Sequence, residues 1–143
     1  MSEFGCLGDK LALRTYHGKY VVAESNGDVN ADRTVANSYE TFTVKELGGN
    51  KISLKSVHNK YLVAESKSSW CPWCDWEVNA NRNSVGEYER FKVEKQDGGK
   101  IALKTHHNKY LVAESNNELN GDRTKIGQYE KFTPECKGKS LVL

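Results

Sequence analysis

The sequence predicts an all-β fold, and three observations predict it: one stretch that returns three times, apolar residues that alternate in short runs, and Gly, Asn and Asp at the breaks. Residues 10–25, Lys-Leu-Ala-Leu-Arg-Thr-Tyr-His-Gly-Lys-Tyr-Val-Val-Ala-Glu-Ser, come back as residues 51–66 and again as residues 100–115. Leu11 with Leu13, Val29 with Ala31 and Phe42 with Val44 are spaced by two, which places each pair on one face of a pleated strand, and no helical period competes. The first copy offers strands at 10–14, 20–25, 29–33 and 41–46, so three copies give twelve strands. A four-strand unit cannot bury both faces alone, whereas three units closed about a threefold axis share a core and leave few exposed edges. The expected architecture is therefore a β-trefoil, a single domain over 1–143 with repeats at about 9–49, 50–98 and 99–143. A three-bladed propeller has the same strand count, but propellers use four or more blades.

The turns carry register. Asn26-Gly27 is the pair favoured for a two-residue type I′ hairpin, and folding about it sets Tyr20 opposite Arg33. The same count about Asn116-Asn117 sets Tyr110 opposite Arg123, and in the second copy Tyr61 falls opposite Arg82. An Arg lying over a partly exposed Tyr face contributes about 0.5–1 kcal/mol, so these pairs read first as repeated scaffold contacts.

Charge narrows the partners. Twenty-one basic residues against nineteen acidic ones leave a net charge of +2, without long runs of one sign, which argues against nucleic acid. No apolar stretch approaches the roughly 18 residues of a membrane span, and Met1 to Gly8 lack a basic segment followed by an apolar core. A cytoplasmic monomer or weak dimer is the expectation.

The stretch Gly98-Gly99-Lys100-Ile101-Ala102-Leu103-Lys104, followed by His107-Asn-Lys-Tyr-Leu-Val-Ala-Glu-Ser115, resembles the repeats of the fascin and hisactophilin group. Tyr39-Glu40-Thr41-Phe42, Tyr88-Glu89-Arg90-Phe91 and Tyr129-Glu130-Lys131-Phe132 look like the element that opens the fourth strand in that family. The resemblance spans nearly the whole chain and implies a β-trefoil that binds filamentous actin. Fascins bundle filaments with several trefoils in tandem, and hisactophilin binds actin and membrane in a pH-dependent way. This chain has one set of three repeats, four histidines, and Ser2 rather than Gly after Met1.

Candidate binding residues fall in two groups. His17, His58 and His107 recur at one turn of each copy, with His106 beside the last, and threefold symmetry arranges them as a ring at one end of the barrel. Lys19, Lys60 and Lys109, with Lys55, Lys104 and Arg14 nearby, surround that ring with positive charge that could meet an acidic surface. Solvated turn residues are the plainer account of both sets.

The second group breaks the repeat. Where the other copies have Asn26-Gly27 and Asn116-Asn117, the second inserts residues 67–76, which hold all three tryptophans, Trp70, Trp73 and Trp76, with Cys71 and Cys74. Exposed indoles at a hairpin tip suit a partner or a sugar face. Cys71 and Cys74 admit a loop-stiffening disulfide, a redox pair or half of a zinc site; no helix follows to activate a thiol, and two ligands are too few for structural zinc. Cys6 and Cys136 lie near the chain ends, which a trefoil brings together, so a second disulfide stands beside the cytosolic default of free thiols.

No phosphate loop, nucleophile motif or metal-ligand set appears, and Glu24, Glu65 and Glu114 repeat without the differing environments that separate an acid from a base. A binding module without cofactor or metal is expected, with filamentous actin as the first partner and glycans as the alternative. The Gln-x-Trp motif of ricin-type trefoils is absent from all three copies.

Overall fold

The computed structural model describes residues 10–66 and 76–137, and the chain there is all β apart from two short 3₁₀ turns at Ser38–Glu40 and Asp97–Gly99. Repeat one holds β1 (Lys10–Arg14), β2 (Tyr20–Ala23), β3 (Val29–Arg33) and β4 (Phe42–Gly48). Repeat two holds β5 (Lys51–Lys55), β6 (Tyr61–Ser66), β7 (Trp76–Arg82) and β8 (Phe91–Lys95). Repeat three holds β9 (Ile101–Lys104), β10 (Tyr110–Ala113), β11 (Leu119–Arg123) and β12 (Thr133–Lys137).

The first and fourth strands of the repeats make a closed barrel. β1 pairs with β4 and β12, β4 with β5, β5 with β8 and β8 with β9, while the bridge Ile101–Phe132 closes the ring. The second and third strands form three hairpins that cap one end and meet in a cycle, through Asp28–Asn79, Glu77–Asn120 and Asn30–Glu118. These twelve strands in three related units are a β-trefoil arrangement.

Alternating burial follows the sequence period, and the inward side chains from all three repeats fill one core. Phe42, Phe91 and Phe132 are its largest members, at 0%, 0% and 1% exposure, each next to a first-strand aliphatic, Leu11, Ile52 or Ile101. One position is out of keeping. Ser53 is 1% exposed and its Oγ has no hydrogen-bond partner, whereas the other two copies place Ala12 and Ala102 there. Ser53→Ala is expected to raise the unfolding free energy by about 1 kcal/mol, because it removes an unpaired buried hydroxyl. Urea denaturation checks this, and a variant less stable than the parent would contradict it.

The expected cross-strand pairs are present, Tyr20 opposite Arg33, Tyr61 opposite Arg82 and Tyr110 opposite Arg123. The turn that was expected to set them is different. Gly27 (φ 95°) and Asn117 (φ 76°) have positive φ, but Asn26 and Asn116 do not, so neither turn is type I′. The Gly27 N–H donates to the Glu24 carbonyl and the Glu24 N–H to the Asp28 carbonyl, which makes a three-residue loop closed by a left-handed residue. The Asn26 and Asn116 side chains stabilise it by accepting from the N–H groups of Asp28 and Glu118. A one-residue shift after each tyrosine then restores the pairing, so the longer loop and the bulge compensate.

The barrel turns explain another repeated choice. Gly18, Asn59 and Asn108 sit at φ 75°, 63° and 62°, a conformation that Gly and Asn adopt most readily, hence the Gly/Asn before each Lys-Tyr.

Of the second-copy insertion, residues 67–75, with Trp70, Trp73, Cys71 and Cys74, lie outside the described residues. Trp76 is different: its backbone opens β7 and pairs with Ser66, which makes it part of the hairpin ladder and not of the loop. β12 runs against β1 with Cys136 opposite Leu11, and Cys136 is disulfide-bonded, in place of the free thiol of the cytosolic default. No helix among the described residues is long and apolar enough to cross a membrane.

Candidate functional site

The three histidines do not converge. Each lies at a different junction between repeats and reaches into the preceding one. His58 Nε2 is 3.0 Å from the Ala23 carbonyl, His107 Nε2 is 3.3 Å from that of Ala64, and His17 Nε2 is 3.0 Å from that of Ala113, so the cycle closes. At these distances each ring nitrogen donates to the carbonyl. Each ring also meets the edge or face of a tyrosine of the same preceding repeat, Tyr39, Tyr88 or Tyr129, at centroid separations of 4.6, 4.8 and 4.5 Å. The backbone N–H of His17, His58 and His107 is anchored by the hydroxyl of Thr15, Ser56 or Thr105 two residues earlier. These contacts make the histidines clasps between repeats, half-buried rather than free at the solvent edge. Among the described residues, no group of three or more His, Cys, Asp or Glu side chains gathers as a metal site.

Burial pushes the His107 imidazole below its ordinary value, and the positive field of His106 acts in the same direction, while the Ala64 carbonyl opposes them. The unfolded chain therefore binds this proton more readily than the folded one. The stability that neutral His107 contributes is complete above the unfolded value of about 6.5 and is lost as pH falls below it through the lowered value of the folded state. His107→Gln is expected to flatten this part of the stability curve between about pH 7.5 and 5.5. Urea midpoints measured across the range would show it, and parallel curves for the two proteins would contradict it.

Lys19, Lys60 and Lys109 lie on the same turns, and their carbonyls accept from the N–H groups of Thr15, Ser56 and Thr105, each at 2.7 Å. Lys60 Nζ turns to Asn83 Oδ1 at 2.5 Å. Lys55 and Lys104 lie over the rings of Tyr61 and Tyr110, at 5.8 and 5.7 Å. Tyr61 and Tyr110 thus receive lysines, not the opposed arginines.

The arginines go to carboxylates, because a charged acceptor within reach binds a guanidinium more strongly than an aromatic face does. Arg33 Nη2 is 2.6 Å from Glu24, Arg123 Nη2 is 2.7 Å from Glu114, and Arg82 makes the same ion pair with Glu65. On its other side each arginine faces a buried glutamate. Arg33 is 3.6 Å from Glu40, Arg82 3.9 Å from Glu89 and Arg123 3.9 Å from Glu130. The second oxygen of each buried carboxylate accepts a backbone N–H, from Asn37 (2.7 Å), Gly86 (2.6 Å) or Gly127 (2.5 Å). Around Arg123, burial draws the guanidinium pKa down, but Asp122, Glu114 and Glu130 together outweigh it and hold the group above its ordinary value.

Each Glu-Arg-Glu set opens to solvent beside an exposed tyrosine, Tyr39, Tyr88 or Tyr129, at 40%, 45% and 37% exposure. In the second repeat they form an open cleft of about 370 Å³ lined by Glu65, Arg82, Glu87, Tyr88 and Glu89. Beside it lies a second cleft of about 360 Å³ with a basic lining. Neither cleft is read from the sequence alone. Its signal was present in the repeated Tyr-Glu-x-Phe element, but only folding shows that the Tyr stays outside while the Glu goes in.

Among curated proteins, none matches the sequence. The structure is similar to that of a designed threefold-symmetric protein, ThreeFoil, with a TM-score of 0.76, 18% identity, and coverage of 89% of this chain and 98% of that one. At that identity the likeness concerns the fold, a threefold β-trefoil. The sequence model of a domain of unknown function, DUF7910, matches residues 8–134, and the chain belongs to that family.

Proposed function

We propose that the chain is a glycan-binding module whose sites are the repeated Glu-Arg-Glu sets beside Tyr39, Tyr88 and Tyr129. The observation that carries this reading is the pairing of an exposed aromatic ring with a fixed Glu-Arg-Glu set, which at Tyr88, Glu65, Arg82 and Glu89 lines an open cleft. A sugar presents an apolar face of C–H groups and a rim of hydroxyls. The ring takes the face, and the carboxylates and guanidinium, held in place by one another, take the rim. Trp70, Trp73 and Trp76 are further candidates for aromatic contact with a sugar face.

Filamentous actin, implied by the fascin resemblance, has less support. It is a cytosolic partner, while Cys136 is disulfide-bonded, a state that persists in oxidising compartments. The histidines and lysines that would meet it are also divided among three junctions between repeats. The same disulfide favours an oxidising compartment over the cytoplasm.

The test is a glycan array probed with the disulfide-intact protein and with the triple variant Tyr39→Ala, Tyr88→Ala, Tyr129→Ala. Binding that the triple variant loses is the expected result. Salt-sensitive co-sedimentation with filamentous actin, with no glycan retained at micromolar protein, would return the assignment to actin.

A further inference from the structure

The scaffold and the repeated tyrosine and Glu-Arg-Glu sets account for the positions shared by the three repeats, so a cluster of residues that departs from the repeat calls for another reason. The basic cleft is such a cluster. In the barrel ladder Lys51 stands directly opposite Lys92, and Lys92 directly opposite Lys104. Directly opposed residues of antiparallel strands share a face with Cβ atoms about 4.5–5.5 Å apart, and like charges there destabilise the pairing. The equivalent row in the first repeat is Lys10, Thr43 and Lys55, with a threonine at the centre. In the third repeat, too, a threonine, Thr133, faces Arg14. Only the second copy places a cation between two cations.

The neighbours depart in the same sense. Arg90 and His106 line the cleft with the three lysines, where the first junction has Thr41 and Val57. Glu87 is the one acidic residue in the lining, 78% exposed and 3.7 Å from His106. Four Lys and Arg side chains thus face one cleft of about 360 Å³, and the fold itself does not need the fourth, since Thr serves in both other copies.

Glu87 is also a wall of the Tyr88 cleft, and the His106 and Tyr88 rings are 5.5 Å apart, so the two clefts adjoin. We propose that the basic cleft binds an oxyanion, the carboxylate or sulfate substituent of an acidic glycan whose sugar ring rests on Tyr88. This deepens the glycan reading and rests on it. The oxyanion takes charge-assisted hydrogen bonds from the ammonium groups and the Arg90 fork, and it neutralises the repulsion built into the lysine row.

Lys92→Thr restores the residue found in the other two copies and is the variant of choice, with Lys92→Gln as a second. Thermal unfolding of the disulfide-intact chain is compared in sodium sulfate and in sodium chloride of equal ionic strength. Sulfate raises melting temperatures generally by exclusion from protein surface, so the quantity read is the difference between parent and variant. The parent is expected to gain about 2–4 °C more than either variant. Calorimetry then compares a uronic-acid oligosaccharide, a sulfated one, their neutral counterpart and inorganic phosphate. The acidic sugars are expected to bind the parent about tenfold more tightly than the neutral one, an advantage that Lys92→Thr abolishes. An equal sulfate response in parent and both variants overturns the anion site. Equal affinity for acidic and neutral sugars overturns its role in recognition while leaving the Tyr88 reading intact. A sulfate response lost in the variants, with phosphate bound and no oligosaccharide bound, overturns the glycan as the source of the anion.

Discussion

Phe91→Ala is expected to lower the unfolding free energy by about 3–5 kcal/mol. Phe91 is fully buried, it stands opposite Ile52 where the last strand of repeat two pairs with its first, and it shares one core with Phe42 and Phe132. Truncation removes the transfer free energy of the ring and leaves a cavity that closed barrel strands cannot collapse to fill. A domain of this size has about 5–15 kcal/mol in hand, so the variant should fold marginally or only at low temperature. Urea denaturation measures the loss, with an unchanged slope showing that the same surface is exposed on unfolding. Phe91→Leu, which keeps most of the volume, should lose distinctly less. A loss under about 1 kcal/mol for the alanine variant would mean that the three phenylalanines do not pack as one core.

Arg123→Ala is the second large effect. The side chain holds Glu114 at 2.7 Å and Asp122 at 2.6 Å, and faces Glu130, which is 6% exposed. Without the guanidinium, the buried Glu130 carboxylate keeps only the Gly127 N–H, and three negative groups are left without the cation between them. Breaking a fully buried pair by removing one partner costs about 3–5 kcal/mol; with Arg123 39% exposed, water recovers part of this and about 2–3 kcal/mol is expected. The double variant Arg123→Met with Glu130→Gln should recover much of the loss, because neither partner is then left charged. A double variant no better than the single one would show that the contribution of Arg123 is its packing, not its charge.

The route to the fold was plain in the sequence at some positions and hidden at others. The alternation of Leu11 and Leu13 or Val29 and Ala31 gives strands because side chains on a pleated backbone have period two. The cross-strand partners of Tyr20, Tyr61 and Tyr110 were legible for a partly mistaken reason. The turn is one residue longer than Asn26-Gly27 suggests, and a bulge of one residue removes the difference, a pair of local conformations that cancel in the count. The histidines were legible as a repeated turn residue but not as clasps, since the carbonyls of Ala23, Ala64 and Ala113 belong to another repeat and carry no side-chain signal. The basic cleft was invisible to a search for charge runs because Lys51, Lys92 and Lys104 are separated along the chain and adjacent only across the ladder.

Three homologous copies, read with the period of their apolar residues, by themselves determine a threefold all-β chain, because each unit leaves a face that only its copies can cover. Tertiary structure alone decided which tyrosines and glutamates meet beside each arginine, which repeat each histidine clasps and where the lysines collect. Those contacts join residues from different strands and repeats, and their energies depend on distances and burial that exist only once the barrel has closed.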